Sequence, residues 1–143
     1  MNQKDRELIL KDLTARLRYG VKILHETWNY EWDDEMSLLE RVVGIDEDFV
    51  YVKVIDEYNG EEYRDDKIPI STFDDKMFLR PMSSMTEEEA LRFEGFKMKT
   101  INSINVPNSI GLIDWLNEHH FDYRGLIPMG LALEAPEDMY KSK

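Results

Sequence analysis

Phe49-Val50-Tyr51-Val52-Lys53-Val54-Ile55, followed by Asn59-Gly60, decides the fold class. Val50, Val52 and Val54 fall on one side and Tyr51 and Lys53 on the other, the period-two pattern of a strand with one face in a core. Asn59 and Gly60 both tolerate the positive φ of a two-residue hairpin. Residues 62–70 then return as the next strand, and Pro69 predicts that this strand ends there or lies at an edge. Working backwards, Asp46-Glu47-Asp48 is a turn and residues 38–45 are rich in branched apolar side chains. Before them, Val21, Ile23 and His25 alternate with Lys22, Leu24 and Glu26. Residues 21–70 therefore read as an antiparallel meander.

Helical patterns flank it. Leu10, Leu13 and Leu17, with Ile9 beside them, recur at helical spacing and predict a helix over 4–18, capped by Asn2 and stopped at Tyr19-Gly20. Residues 71–82 connect, and Pro81 blocks a helix through Arg80. Thr86-Glu87-Glu88-Glu89 is a capping box that starts a helix over 87–95. Residues 97–108 carry Asn102, Ser103, Asn105, Pro107 and Asn108 and read as an irregular, flexible loop. A further helix runs from 108 or 109 to about His119, with Ile110, Ile113 and Leu116 as its apolar stripe and Trp115 adjacent. Residues 122–125 turn, and 126–133 form a short apolar segment, broken by Pro128 and Gly130, that fits a helical turn followed by a strand closing the sheet. The tail after Pro136 is expected to fray. The class is α+β in one domain over 1–143: an N-terminal helix within 1–20, an acidic meander of about four to five strands over 21–70, with a small curled barrel as one form of it, and C-terminal helices within 86–135.

The 143 residues carry a net charge of −12, and the excess is local. Residues 26–66 hold fifteen acids against three bases, Arg41, Lys53 and Arg64, which is the whole imbalance. Such a field repels nucleic acid and attracts basic partners. The same acids also serve a plainer purpose, solvating the outer face and edges of a sheet. With no cysteine there is no disulfide framework and no thiolate metal site. The opening residues lack the pattern of a signal peptide, and no apolar run approaches a membrane span, so a cytoplasmic protein is expected.

Few residues carry chemistry. His119, His120 and Asp122 group the metal-ligand types, but adjacent side chains on a helix diverge by about 100°, and histidines near a helix end favour the dipole without any ion. The pairs Asp33/Asp34, Asp65/Asp66 and Asp74/Asp75 match no calcium loop. There is no Gly-x-Ser-x-Gly elbow and no glycine-rich phosphate loop. No catalytic residue, metal or cofactor is implied. Trp28, Tyr30 and Trp32 alternate within Trp28-Asn29-Tyr30-Glu31-Trp32, and with Asp33, Asp34 and Glu35 they are the binding candidates by residue type. The competing expectation is that these aromatics pack in the core as cross-strand pairs. Arg124 is a candidate grip for a phosphate or carboxylate beside them.

Three segments, Leu13-Thr14-Ala15-Arg16-Leu17-Arg18-Tyr19-Gly20-Val21-Lys22, Leu79-Arg80-Pro81-Met82-Ser83-Ser84-Met85-Thr86, and His120-Phe121-Asp122-Tyr123-Arg124-Gly125-Leu126-Ile127 with Gly130-Leu131-Ala132, stand in this order. Together they resemble a group of small uncharacterised proteins of phages and of prophage-like regions in anaerobic gut bacteria. The chain departs from that group at Arg18, where proline is usual, and at Pro128-Met129, where a charged pair is usual. The resemblance carries no activity; it implies an accessory role in a phage or mobile element, within the host cytoplasm. The leading expectation is a non-enzymatic protein that binds a basic face of a host macromolecule through residues 26–66. The alternatives are a binder or sponge for a small nucleotide-like ligand, a purely structural role and, last, an enzyme. Self-association through the strand after Asn59-Gly60 is a further possibility if its edge is bare.

Overall fold

The structure, a computed structural model, describes residues 2–97, 99–101, 104–106 and 109–140. The first helix, α1 (Gln3–Ala15), is capped as expected, the Asp5 amide donating to the Asn2 carboxamide oxygen at 2.8 Å. A 3-10 turn over Leu17–Tyr19 and Gly20, at φ 69°, redirect the chain into the sheet. The positive φ favours glycine there, whereas a Cβ would only touch the Arg41 side chain at 3.4 Å, an ordinary contact.

The strands are β1 (Lys22–Asn29), β2 (Asp34–Ile45), β3 (Phe49–Ile55), β4 (Glu62–Pro69) and β5 (Lys76–Leu79). Next in sequence come α2 (Glu87–Lys97), a small hairpin of β6 (Lys99–Ile101) and β7 (Ile104–Val106), α3 (Ser109–Glu118) and β8 (Ala132–Glu134). The main sheet has the order β4-β3-β2-β1-β5-β8; neighbours are antiparallel except β5 and β8, which are parallel. One face carries Ile23, Val42, Val50, Val52, Ile68 and Met77, packed with Ile9 and Leu13 of α1 and with Phe73 and Leu79. Trp115, Leu116 and Phe121 form a second cluster with Leu112, Phe93 and Phe96, where α2 meets α3. Among the described residues no helix is long and apolar enough to cross a membrane.

The meander, the α1 cap, the ending of β4 at Pro69 and its edge position follow the sequence expectation. So does the capping box, with Thr86 and Glu89 exchanging hydrogen bonds at 3.0 and 3.1 Å. Other expectations are corrected. The sheet has six strands and stays open, with β4 and β8 as its edges, so it is not a curled barrel. The later helices are not terminal, because β8 follows them and pairs with β5. Asn59-Gly60 does not make a two-residue turn. The Asp56 amide bonds the Glu61 carbonyl and the Gly60 amide bonds the Asp56 carbonyl, and only Gly60 takes positive φ, so four residues span the loop. On α3, Ile110 and Ile113 are exposed and the buried side is Leu112, Trp115 and Leu116, because that side meets α2. Of the irregular stretch expected at 97–108, two short segments pair as β6 and β7, and residues 98, 102, 103, 107 and 108 lie outside the described residues. The β4 edge is dense in exposed charge (Glu62, Arg64, Asp65, Asp66 and Lys67), which discourages pairing with another sheet.

Candidate functional site

In an up-and-down meander, alternate hairpin turns emerge at the same end. The β1–β2 turn, at residues 30–33, and the β3–β4 loop, at residues 56–61, therefore share one end of the sheet. The first projects further, because β2 loses β3 as a partner beyond Leu39 while continuing beside β1 to Asp34. Its turn is shaped by Asn29, whose side-chain oxygen accepts from the amides of Glu31 and Trp32 at 3.0 and 3.1 Å, and by Asp33 at φ 51°.

This end displays aromatic surface. Tyr30 is 89%, Trp32 75% and Trp28 41% exposed, and Tyr58 and Tyr63 of the neighbouring hairpin are exposed too. Core packing of the Trp28–Trp32 aromatics is thus overturned: only Trp28 lies within β1, and the other two ride on the turn. Asp33, Asp34 and Glu35 are exposed beside them. A shallow cavity of about 320 Å³ lies between the hairpins, lined by Trp28, Tyr30, Tyr63 and Arg64 among others. A larger one, about 770 Å³, includes Trp28, Glu35 and Asp75.

Arg124 does not join the aromatics. Its Nε donates to Asp12 Oδ1 at 2.9 Å, and Asp12 also receives the buried Arg16 at 2.8 Å. Arg16 then donates to the Phe121 carbonyl at 2.6 Å, and both guanidinium groups lie 5.2 Å from the Tyr123 ring centre. This cluster ties α1 to the loop after α3. His119, His120 and Asp122 do not converge on an ion position. Asp122 accepts the amides of Leu126 and Ile127, His119 packs on Trp115, and the buried His120 stacks on Tyr140 at 3.6 Å. Burial, with Arg16, His119, Lys22 and Arg80 nearby, holds the His120 imidazole down to about 3.

A second polar group lies within the sheet. Of the fifteen acids in 26–66, thirteen are exposed, Asp56 is half-buried and Glu40 is wholly buried, at 0%. Register explains it. Glu40 sits opposite Ile23 of β1 and Val54 of β3, both buried, so its side chain must enter the core face. Two residues along β1, His25 shares that face. The β1–β5 pairing of Ile23 with Met77 and Leu24 with Lys76 carries Asp75 to the place opposite His25. His25 Nδ1 lies 2.7 Å from Asp75 Oδ2. Neither carboxylate oxygen of Glu40 has a hydrogen-bond partner. One donor atom from each of His25, Glu40 and Asp75 falls within 4.8 Å of the others.

Burial drives the Glu40 carboxyl up to about 7, with Asp75 and Asp66 adding to the rise and His25 and Arg64 opposing it. The hydrogen bond that the His25 ring donates to the Asp75 carboxylate raises His25, against the opposing effect of burial. Such a group can hold a proton near neutrality or a cation. Sequence reasoning missed it. Glu40 within Leu38-Leu39-Glu40-Arg41-Val42-Val43 is the one legible hint, a charge at a core-facing position, whereas Asp75 is fifty residues from His25 and no local pattern links them. No protein-family model matches the chain, and neither a curated protein nor a solved structure matches it.

Proposed function

We propose that this chain is a non-enzymatic binding protein that docks a basic segment of another protein on the aromatic, acidic end of its sheet. One observation carries the reading: Trp28, Tyr30, Trp32, Tyr58 and Tyr63 are exposed together on two adjacent hairpins, among the acids that make up the net charge. Large aromatics left in water on a monomer mark contact surfaces, and Trp and Tyr dominate binding hot spots. Their ring faces attract Lys and Arg, and flanking carboxylates steer those cations in. Arg64 already lies 6.0 Å from the Tyr63 ring centre within the chain itself. The partner of this reading is a host protein whose basic face ordinarily holds nucleic acid, and the phage or mobile-element setting rests on the resemblance of the three sequence segments.

The test is affinity capture from host lysate at low salt, run with the wild type and two variants, Trp28→Ser/Tyr30→Ser/Trp32→Ser and Asp33→Asn/Asp34→Asn/Glu35→Gln. A basic protein held by the wild type, weakened at least tenfold in both variants and released by raised salt, is the expected result. Nothing captured at low salt, or capture that both variants retain, overturns the reading.

A further inference from the structure

We propose that His25, Glu40 and Asp75 bind a divalent transition-metal ion, with Zn²⁺ or Mn²⁺ as the fitting cations. The donors come from β1, β2 and the residue before β5, and backbone register holds them within 4.8 Å of one another. Glu40 supplies the second, independent observation. It is fully buried, it points into this group, and neither of its oxygens has a hydrogen-bond partner. Buried carboxylates in native proteins are paired, hydrogen-bonded or coordinated to metal.

Charge identifies the missing partner. Asp12, equally buried, has two guanidinium groups on it. Glu40 and Asp75 share one imidazole, and Arg64, the other cation acting on Glu40, is half-exposed and lies 3.9 Å from Asp66. Two carboxylates and a neutral imidazole sum to −2, which one dication neutralises. One nitrogen and two oxygens suit Zn²⁺ or Mn²⁺, and with no cysteine in the chain no thiolate competes. Ligands around Zn²⁺, at about 2.0–2.2 Å from it, stand roughly 3.3 Å apart. The 2.7 Å between His25 and Asp75 must therefore open as the ion takes the place of the Nδ1 proton: from the imidazolium that proton leaves to solvent, and from the neutral ring it is exchanged to Nε2, so the bound imidazole is neutral in both cases. Three protein ligands leave at least one coordination position for water. His25 lines the smaller cavity and Asp75 the larger, so the ion has a route in, while Glu40 lines neither.

The test uses the full, tag-free chain stripped with chelator. Calorimetric titration with Zn²⁺ is expected to show one site per chain, weakened at least tenfold in Glu40→Gln and in Asp75→Asn. It should be unchanged in Asp33→Asn/Asp34→Asn, which alters the docking surface and leaves this site alone. A second measurement needs no variant. Substoichiometric Mn²⁺ should broaden the His25 ring resonances before those of His119 and His120. Absence of one-site binding, binding that survives Glu40→Gln, or broadening that begins at His119 or His120 overturns the proposal.

Discussion

Two groups of buried charge lie among the described residues, and they are built differently. At the junction of α1 with the loop after α3, Asp12 lies between Arg16 and Arg124, and Arg16 also reaches the Phe121 carbonyl. Within the sheet, Glu40 and Asp75 meet one histidine, and Glu40 is left without a partner. In the first group the carboxylate is complete in charge, with two guanidinium groups on Asp12 to offset its desolvation, although Arg16 Nη1 has no hydrogen-bond partner. The second is complete only with something added, a proton or a cation. A buried carboxylate with its cations in place speaks of architecture, and one without them speaks of a ligand.

The largest expected effect breaks the complete group. Arg16→Met leaves Asp12 buried with Arg124 alone and removes the donor to Phe121, so urea unfolding should show a loss of about 3–5 kcal/mol. A loss below about 1 kcal/mol would mean that the cluster does not anchor α1.

The incomplete group should respond in the opposite sense. Its Glu40 titrates at about 7 when folded, above its ordinary value of 4.5, so its contribution to stability is whole below pH 4.5 and fades as pH rises through 7. His25, also raised, acts in the same direction. In chelator at pH 8, Glu40→Gln is expected to be more stable than the wild type by about 2 kcal/mol, and at pH 4.5 the two should coincide. Equal denaturant midpoints at pH 8 would count against a strained carboxylate.

The smallest effect belongs to His120, beside the complete group. Its folded value, about 3, lies below the ordinary 6.5, so its contribution is whole above pH 6.5 and drains away as pH falls from there towards 3. His120→Asn keeps the positive φ of 63°, which asparagine tolerates, and removes the titration. Between pH 7 and pH 5.5 the variant should be spared about 1 kcal/mol of the wild-type decline. Parallel pH profiles for the two proteins would show that His120 is not held neutral.

What the sequence made legible was local. Asn2, the Thr86–Glu89 capping box and the Val50-Val52-Val54 alternation each act within a few residues, and each appears where its spacing placed it. Expectations failed where a distant partner decided. The choice between Ile110 and Leu112 as the buried side of α3 depends on where α2 lies. The parallel pairing of β8 with β5 joins segments separated by two helices. At Asn59-Gly60 the neighbouring Asp56–Glu61 pairing widened the loop and overrode the dipeptide. The same rule divides the sites. Trp28, Tyr30 and Trp32 are visible as residue types, though only the ending of β1 at Asn29 shows that Tyr30 and Trp32 ride on a turn in water. His25, Glu40 and Asp75 become neighbours through strand register alone, so no motif announces them.

The Arg16–Phe121 and Asp12–Arg124 bonds span 105 and 112 residues of chain. On a ribosome, the hairpins of the meander meet their partners within a few dozen residues of synthesis, whereas Asp12 and Arg16 wait more than a hundred residues for Arg124 and Phe121. Until then Asp12 and Arg16 have only each other. Nascent α1 can lay Ile9 and Leu13 on the sheet once the meander is made, but its buried charges stay an unfinished surface until residues 121–124 appear.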